Sequence, residues 1–184
     1  MNDQNRNIAD FPELTGEKGW TELKVPTTFG KGSSFITGDQ NDSRLKVRYF
    51  INDSDSSFVG RVWFGPSTEG PAGFVHGGSM AAVLDEAMGA SAWLSGYTVV
   101  AAKIIVDYRK MLPLGTITTI EARVTSVKGR KVTTKGVIYT EKDTIFSESE
   151  GLYIIIPPEK FGEMIKYRDA FQQQESVKDK RDDL

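Results

Sequence analysis

Gly73-Phe74-Val75-His76-Gly77-Gly78-Ser79-Met80-Ala81-Ala82-Val83-Leu84-Asp85-Glu86 is the stretch that decides how this chain reads. It holds the only histidine among 184 residues. Two glycines follow, and then a run with helical spacing of apolar residues: Met80, Val83, Leu84, Ala87, Met88 and Ser91 fall on one stripe. Gly96 supplies a stop after Leu94. The run is apolar nearly all round, so it is expected to be buried on most sides. One acid, Asp85, sits well inside it among Gly78, Ala81, Ala82, Gly89 and Ala92. An unpaired buried carboxylate is costly, which makes Asp85 a candidate for chemistry. Gly77 and Gly78 lack a Cβ, so a ligand can approach their N–H groups at the positive end of a helix dipole. An anion-stabilising helix start and a carboxylate about two and a half turns further on suit acyl transfer or acyl hydrolysis.

Outward from the helix the period changes to two. Leu45, Val47, Tyr49 and Ile51 alternate with polar residues, and Phe58 to Phe64 forms a second strand beyond the turn cluster Asn52-Asp53-Ser54-Asp55. After the helix come four long strands, Thr98 to Arg109, Thr116 to Val127, Lys131 to Glu141 and Thr144 to Ile156. Lys128-Gly129-Arg130 reads as a hairpin turn, and links that short imply antiparallel neighbours. One long helix against about six antiparallel strands is an α+β arrangement in which the sheet wraps the helix. Three regions follow. Residues 1–43 form a cap with apolar anchors at Ile8, Phe11, Leu14, Trp20, Leu23, Val25, Phe29 and Phe35. Residues 44–157 form the main domain. Residues 158–184 carry an amphipathic helix (Phe161, Met164, Ile165 and Phe171 on one stripe) and a frayed end.

Composition narrows the function. The net charge of −2 gives no general pull toward nucleic acid or membrane. With no cysteine, thiol nucleophiles, disulfides and cysteine–zinc sites are out, and one histidine excludes a histidine-rich metal site. No apolar run approaches the roughly 20 residues of a membrane helix. The first residues, Met1 to Asn7, are polar and lack the pattern of a signal peptide, so a cytoplasmic location is expected. Glu86, about 100° round the helix from Asp85, is expected to be a surface or interface acid.

These residues carry a family resemblance. Gly73-Phe74-Val75-His76-Gly77-Gly78, Asp85 nine positions after the histidine, Val106-Asp107-Tyr108-Arg109 leading to Leu112-Pro113-Leu114-Gly115, and the hairpin Val127-Lys128-Gly129-Arg130-Lys131 are similar to the hotdog-fold acyl-CoA thioesterases of the PaaI-like group, closest to members with an N-terminal extension. The likeness covers residues of about 30 to 156. It implies a hydrolase of lipid metabolism that needs no metal or cofactor, coenzyme A being part of the substrate. It also implies a homodimer, often paired again into a tetramer, whose active sites straddle two subunits. Gly77 or Gly78 would polarise the thioester carbonyl, Asp85 of the other subunit would act as base or nucleophile, and His76 would orient the turn. Arg109, Lys110, Lys128, Arg130 and Lys131 are candidates for the phosphates of coenzyme A. Ala101 lies at a substrate-facing position.

The chain departs from that family at several positions. Ala101 stands where relatives often have Thr or Ser to hold the attacking water. Gly70 stands where many carry Asn or Gln, and Lys110-Met111 replaces a basic residue followed by proline. The Ser34-Phe35-Ile36-Thr37-Gly38-Asp39 region is similar to a paired-cysteine signature but has no cysteine. Two other functions fit the same residues: a thioesterase for acyl-carrier-protein substrates, or a non-catalytic acyl-CoA binding protein.

Overall fold

The computed structural model describes residues 12–24, 28–29, 32–37, 43–140 and 144–160. Its strands are β1 (Trp20–Leu23), β2 (Thr28–Phe29), β3 (Gly32–Ser33), β4 (Leu45–Asn52), β5 (Phe58–Phe64), β6 (Val99–Tyr108), β7 (Ile117–Lys128), β8 (Lys131–Tyr139) and β9 (Ile145–Ile155), with one helix, α1 (Gly77–Leu94). Seven strands make one antiparallel sheet in the order β1-β4-β5-β7-β8-β9-β6. This is the α+β hotdog arrangement expected, with one strand more than the six read from the sequence. The extra strand, β1, comes from the N-terminal segment and pairs with β4. β2 and β3 form a separate small hairpin.

Local rules place α1. Its C-terminal end closes with Gly96 at φ +87°, where Tyr97 N–H reaches Ala92 O (2.9 Å) and Gly96 N–H reaches Trp93 O (3.0 Å). This is the left-handed glycine stop that satisfies the last carbonyls. The stripe Met80, Val83, Leu84, Ala87, Met88 and Ser91 is buried as its spacing predicts. It packs into the sheet against Tyr49, Phe58, Ile120, Ile138 and Tyr153 of the common core. Gly136 admits it, because a Cβ there would meet Leu84 Cδ2 and Met88 Cγ at 3.1 Å each. The turn between β7 and β8 is a two-residue loop with Gly129 at φ +57°, and Lys128 pairs with Lys131 across it.

The two ends of the sheet differ. At one edge β1 is only four residues long. At the other, β6 runs ten residues with Val100 and Ile105 exposed at 42% and 48%. Of the anchors read from the N-terminal segment, Leu14 and Leu23 are buried. Phe35 is not: it is 64% exposed, with the Arg44 guanidinium 4.5 Å from its ring centre. The cation covers the ring where a core contact was expected. Ile8, Phe11 and Val25, and the C-terminal stripe Phe161, Met164, Ile165 and Phe171, lie outside the described residues, as does the side chain of Phe29. No described helix is long and apolar enough to cross a membrane.

Candidate active site

The helix start is set by a pinned loop. His76 N–H donates to Thr68 O at 2.7 Å, Val75 N–H to Leu112 O at 2.8 Å and Gly70 N–H to Phe74 O at 2.9 Å. His76 is then the N-cap of α1, with extended backbone (φ −63°, ψ 133°). Its Nδ1 accepts a 2.9 Å hydrogen bond from Gly78 N–H, so the ring proton sits on Nε2. The imidazole thereby ties down the turn at the helix start, and it leaves the two candidate amides unequal. Gly78 N–H is engaged by the cap. Gly77 N–H has no protein acceptor among the described residues, while the Gly77 carbonyl accepts Tyr108 Oη at 2.9 Å. The tyrosine thus braces the peptide that carries the next helical amide.

Gly70 has a physical reason to be glycine. A Cβ at this position would lie 2.8 Å from His76 Cα, closer than real Cβ contacts come. The departure read in the sequence is therefore a packing requirement of this loop.

Asp85 lies eight residues after Gly77 on one helix, about 12 Å along the axis. It is half-buried, and its Oδ1 accepts a 2.8 Å hydrogen bond from Tyr153 Oη on β9. Glu86 corrects an expectation. Its side chain turns inward, where Oε1 accepts from Tyr49 Oη at 2.8 Å and Oε2 from Ser34 Oγ at 3.4 Å. Burial, opposed by these two hydrogen bonds and reinforced by the Asp85 charge, pushes the Glu86 carboxyl up to about 7. Burial and the neighbouring carboxylates hold both phenols, Tyr49 and Tyr153, above the ordinary tyrosine value. The tyrosines had no signal strong enough to assign them from sequence. The nearest was Gly151, since a glycine inside a strand often marks a close approach.

The basic candidates divide. Arg109 and Lys110 line a groove of about 280 Å3 together with Phe74, Gly77, Met80, Tyr108 and Met111. Arg109 is already paired with Glu148 at 2.8 Å and Asp107 at 3.6 Å, whereas Lys110 makes no ion pair among the described residues. Lys128, Arg130 and Lys131 sit on the β7–β8 hairpin, where the Arg130 guanidinium donates to Ile155 O at 3.1 Å. Ile155 pairs with Val99, the first residue of β6, while Gly77 meets Tyr108, the last. A single chain therefore does not gather the hairpin cations and the Gly77 groove. Ala101 lies opposite Tyr153 in the β6–β9 register, just before a bulge at Ala102.

Residues 72–147 match the thioesterase superfamily. The match takes in α1, β6, β7, β8 and the start of β9. The chain is similar to acyl-coenzyme A thioesterase THEM4 of Xenopus laevis, 35% identical over 86 residues, covering 47% of this chain and 39% of that protein. Among solved structures it resembles a thioesterase superfamily protein, RHA08564, at 32% identity and TM-score 0.56, covering 59% of this chain and 53% of that one. The E. coli PaaI protein of the phenylacetic acid degradation operon shares the fold, at 15% identity and TM-score 0.54, covering 61% of this chain and 80% of that one. The chain spans between 39% and 55% of the length of the curated relatives it matches.

Proposed function

We propose that this chain hydrolyses acyl-CoA thioesters to a free carboxylic acid and coenzyme A, at a site built from two copies of the chain. One observation carries the reading: on one helix, within the stretch that matches the thioesterase superfamily, the Gly77 amide has no acceptor among the described residues and the Asp85 carboxylate is held by a buried phenol. A carbonyl oxygen placed at Gly77 N–H would gain a hydrogen bond and the positive end of the helix dipole as it becomes an oxyanion. The same chain's Asp85, about 12 Å away, is out of reach of that carbonyl carbon. A second copy supplies it. The long β6 edge, with its exposed Val100 and Ile105, supports a homodimer joined along that strand, with pairing into a tetramer as a further step.

Asp85 takes a proton from water as the water oxygen bonds to the acyl carbon. The tetrahedral oxyanion forms against Gly77 N–H of the other copy. The C–S bond then breaks, and the sulfur leaves with the proton held by Asp85. Direct attack by the carboxylate, giving a mixed anhydride that water hydrolyses, balances equally and uses the same two groups. Lys110 and the hairpin cations Lys128, Arg130 and Lys131 are the groups we assign to the coenzyme phosphates. Arg109, engaged with Glu148, contributes less. Cytoplasmic acyl-CoA and lipid metabolism is part of the same proposal.

Thiol release from a panel of short, long and aromatic acyl-CoAs tests the reading. Turnover of one or more, lost in Asp85→Asn, is the expected result. Turnover only of acyl-carrier-protein thioesters would move the substrate class. Saturable binding of acyl-CoA with no thiol released would leave a binding protein, for which Ala101 and Gly70 are the suggestive residues.

A further inference from the structure

Tyr153 is a buried phenol, 2% exposed, and both hydrogen bonds described for it go to one residue. Its Oη lies 2.8 Å from Asp85 Oδ1 and 2.9 Å from the Asp85 carbonyl oxygen. A phenol has one proton, and the carboxylate is the stronger, charge-assisted acceptor. The chain makes room for this contact. A Cβ on Gly151 would stand 2.5 Å from Tyr153 Cε2, closer than real Cβ contacts come. Directly opposite Tyr153 in the β6–β9 register is Ala101, on the same face of the sheet and with no polar side chain of its own.

We propose that Tyr153 is the positioning residue of the hydrolytic site: it fixes Asp85 by Oδ1, so that Oδ2 is presented to the water or acyl carbon, and does so in place of a hydroxyl at Ala101. The inference rests on the hydrolase reading above. The terminal torsion of an aspartate is broad and roughly two-fold, so an unrestrained carboxylate spreads over many orientations. Anchoring one oxygen sets the plane of the other. A reacting group must be aligned at about 3 Å, and a small misplacement costs on the order of 10²-fold in rate. The phenol is also a dependable donor, because burial and the Asp85 charge oppose its ionisation. The bulge at Ala102 fits the same picture, since bulges re-aim strand side chains beside sites.

Tyr153→Phe deletes the hydroxyl and keeps the ring in its glycine slot. The expected result is a kcat lowered on the order of 10- to 100-fold with KM within about twofold. Ala101→Thr introduced into Tyr153→Phe should recover part of that loss, and should raise kcat by a larger factor there than in the parent chain. A Tyr153→Phe enzyme with kcat within twofold of the parent overturns the proposal. So does a loss spread equally over kcat and KM with no response to Ala101→Thr. A crystal structure of Tyr153→Phe reads placement without catalysis. The Asp85 carboxylate should occupy more than one orientation, and a single unchanged orientation defeats the proposal whatever the activity. If the parent chain releases no thiol from any acyl-CoA, the hydrolase reading fails separately.

Discussion

Tyr49 Oη donates a 2.8 Å hydrogen bond to Glu86 Oε1, while one residue earlier Asp85 takes its hydrogen bond from Tyr153. Two phenols, from β4 and β9, thus hold consecutive carboxylates of one helix. Glu86 is closed in, with its carboxyl pushed up to about 7 from 4.5. A carboxyl raised on folding contributes stability that is fully present below its unfolded value and is lost as pH climbs through the folded one. Over that window the ceiling is about 3 kcal/mol, at 1.36 kcal/mol per pKa unit. Urea unfolding at pH 5, 6, 7 and 8 should show stability falling with pH. Glu86→Gln should flatten that slope and leave the variant more stable than the parent at pH 8.

Asp85→Asn keeps the shape and an acceptor for Tyr153 but removes the charge. Thiol release should fall on the order of 10²- to 10⁴-fold, with the circular dichroism spectrum unchanged. A variant that retained most of the parent kcat would remove Asp85 from the chemistry.

His76 acts through its Nδ1 cap on Gly78. His76→Ala should cost about 1 kcal/mol in thermal or urea unfolding. His76→Asn, which restores a capping oxygen, should recover the stability and most of kcat. A stable His76→Asn protein slowed by 10²-fold or more would show the imidazole moving a proton in the reaction.

Gly70→Asn introduces the residue type that the family resemblance implies, but its Cβ would be driven to 2.8 Å from the His76 backbone. We expect a loss of about 1–3 kcal/mol from overpacking and lower activity, because the displaced residue is the helix cap. A Gly70→Asn protein as stable as the parent, measured by urea unfolding, would contradict this geometry.

Sedimentation at micromolar concentration should give a species of two chains or a multiple of two. A monodisperse single chain with full thiol-releasing activity would break the two-copy site.

The helix, its glycine-rich start and the strands after it were legible because each has a local period or a turn residue that fixes it. Gly96 and Gly129 sit where left-handed backbone is needed, and the stripe from Met80 to Ser91 is buried. What escaped the reading was long in sequence and lateral in space. Tyr153 and Asp85 are 68 positions apart, and Tyr49 and Glu86 are 37 apart. Helical periodicity gives the angle of Glu86 but not which part of the sheet covers that angle, so an inward acid read as an outward one. β1 is four residues with an exposed centre, too short for alternation to stand out. Phe35 looked like an anchor because size and apolarity are visible in a sequence, whereas a guanidinium placed over the ring is not.

The rise of a single helix has a genetic consequence. On the proposed two-copy site, Gly77 and Asp85 belong to one rigid rod yet would serve different sites, so each chain of a pair would lend half of its equipment to each of two reactions. A chain damaged at Asp85 and a chain damaged at Gly77 are each inert alone. Mixed together, every heterodimer pools both defects in one site and leaves the other whole. Two inactive alleles of this protein would complement each other, and the recovered turnover would count heterodimers.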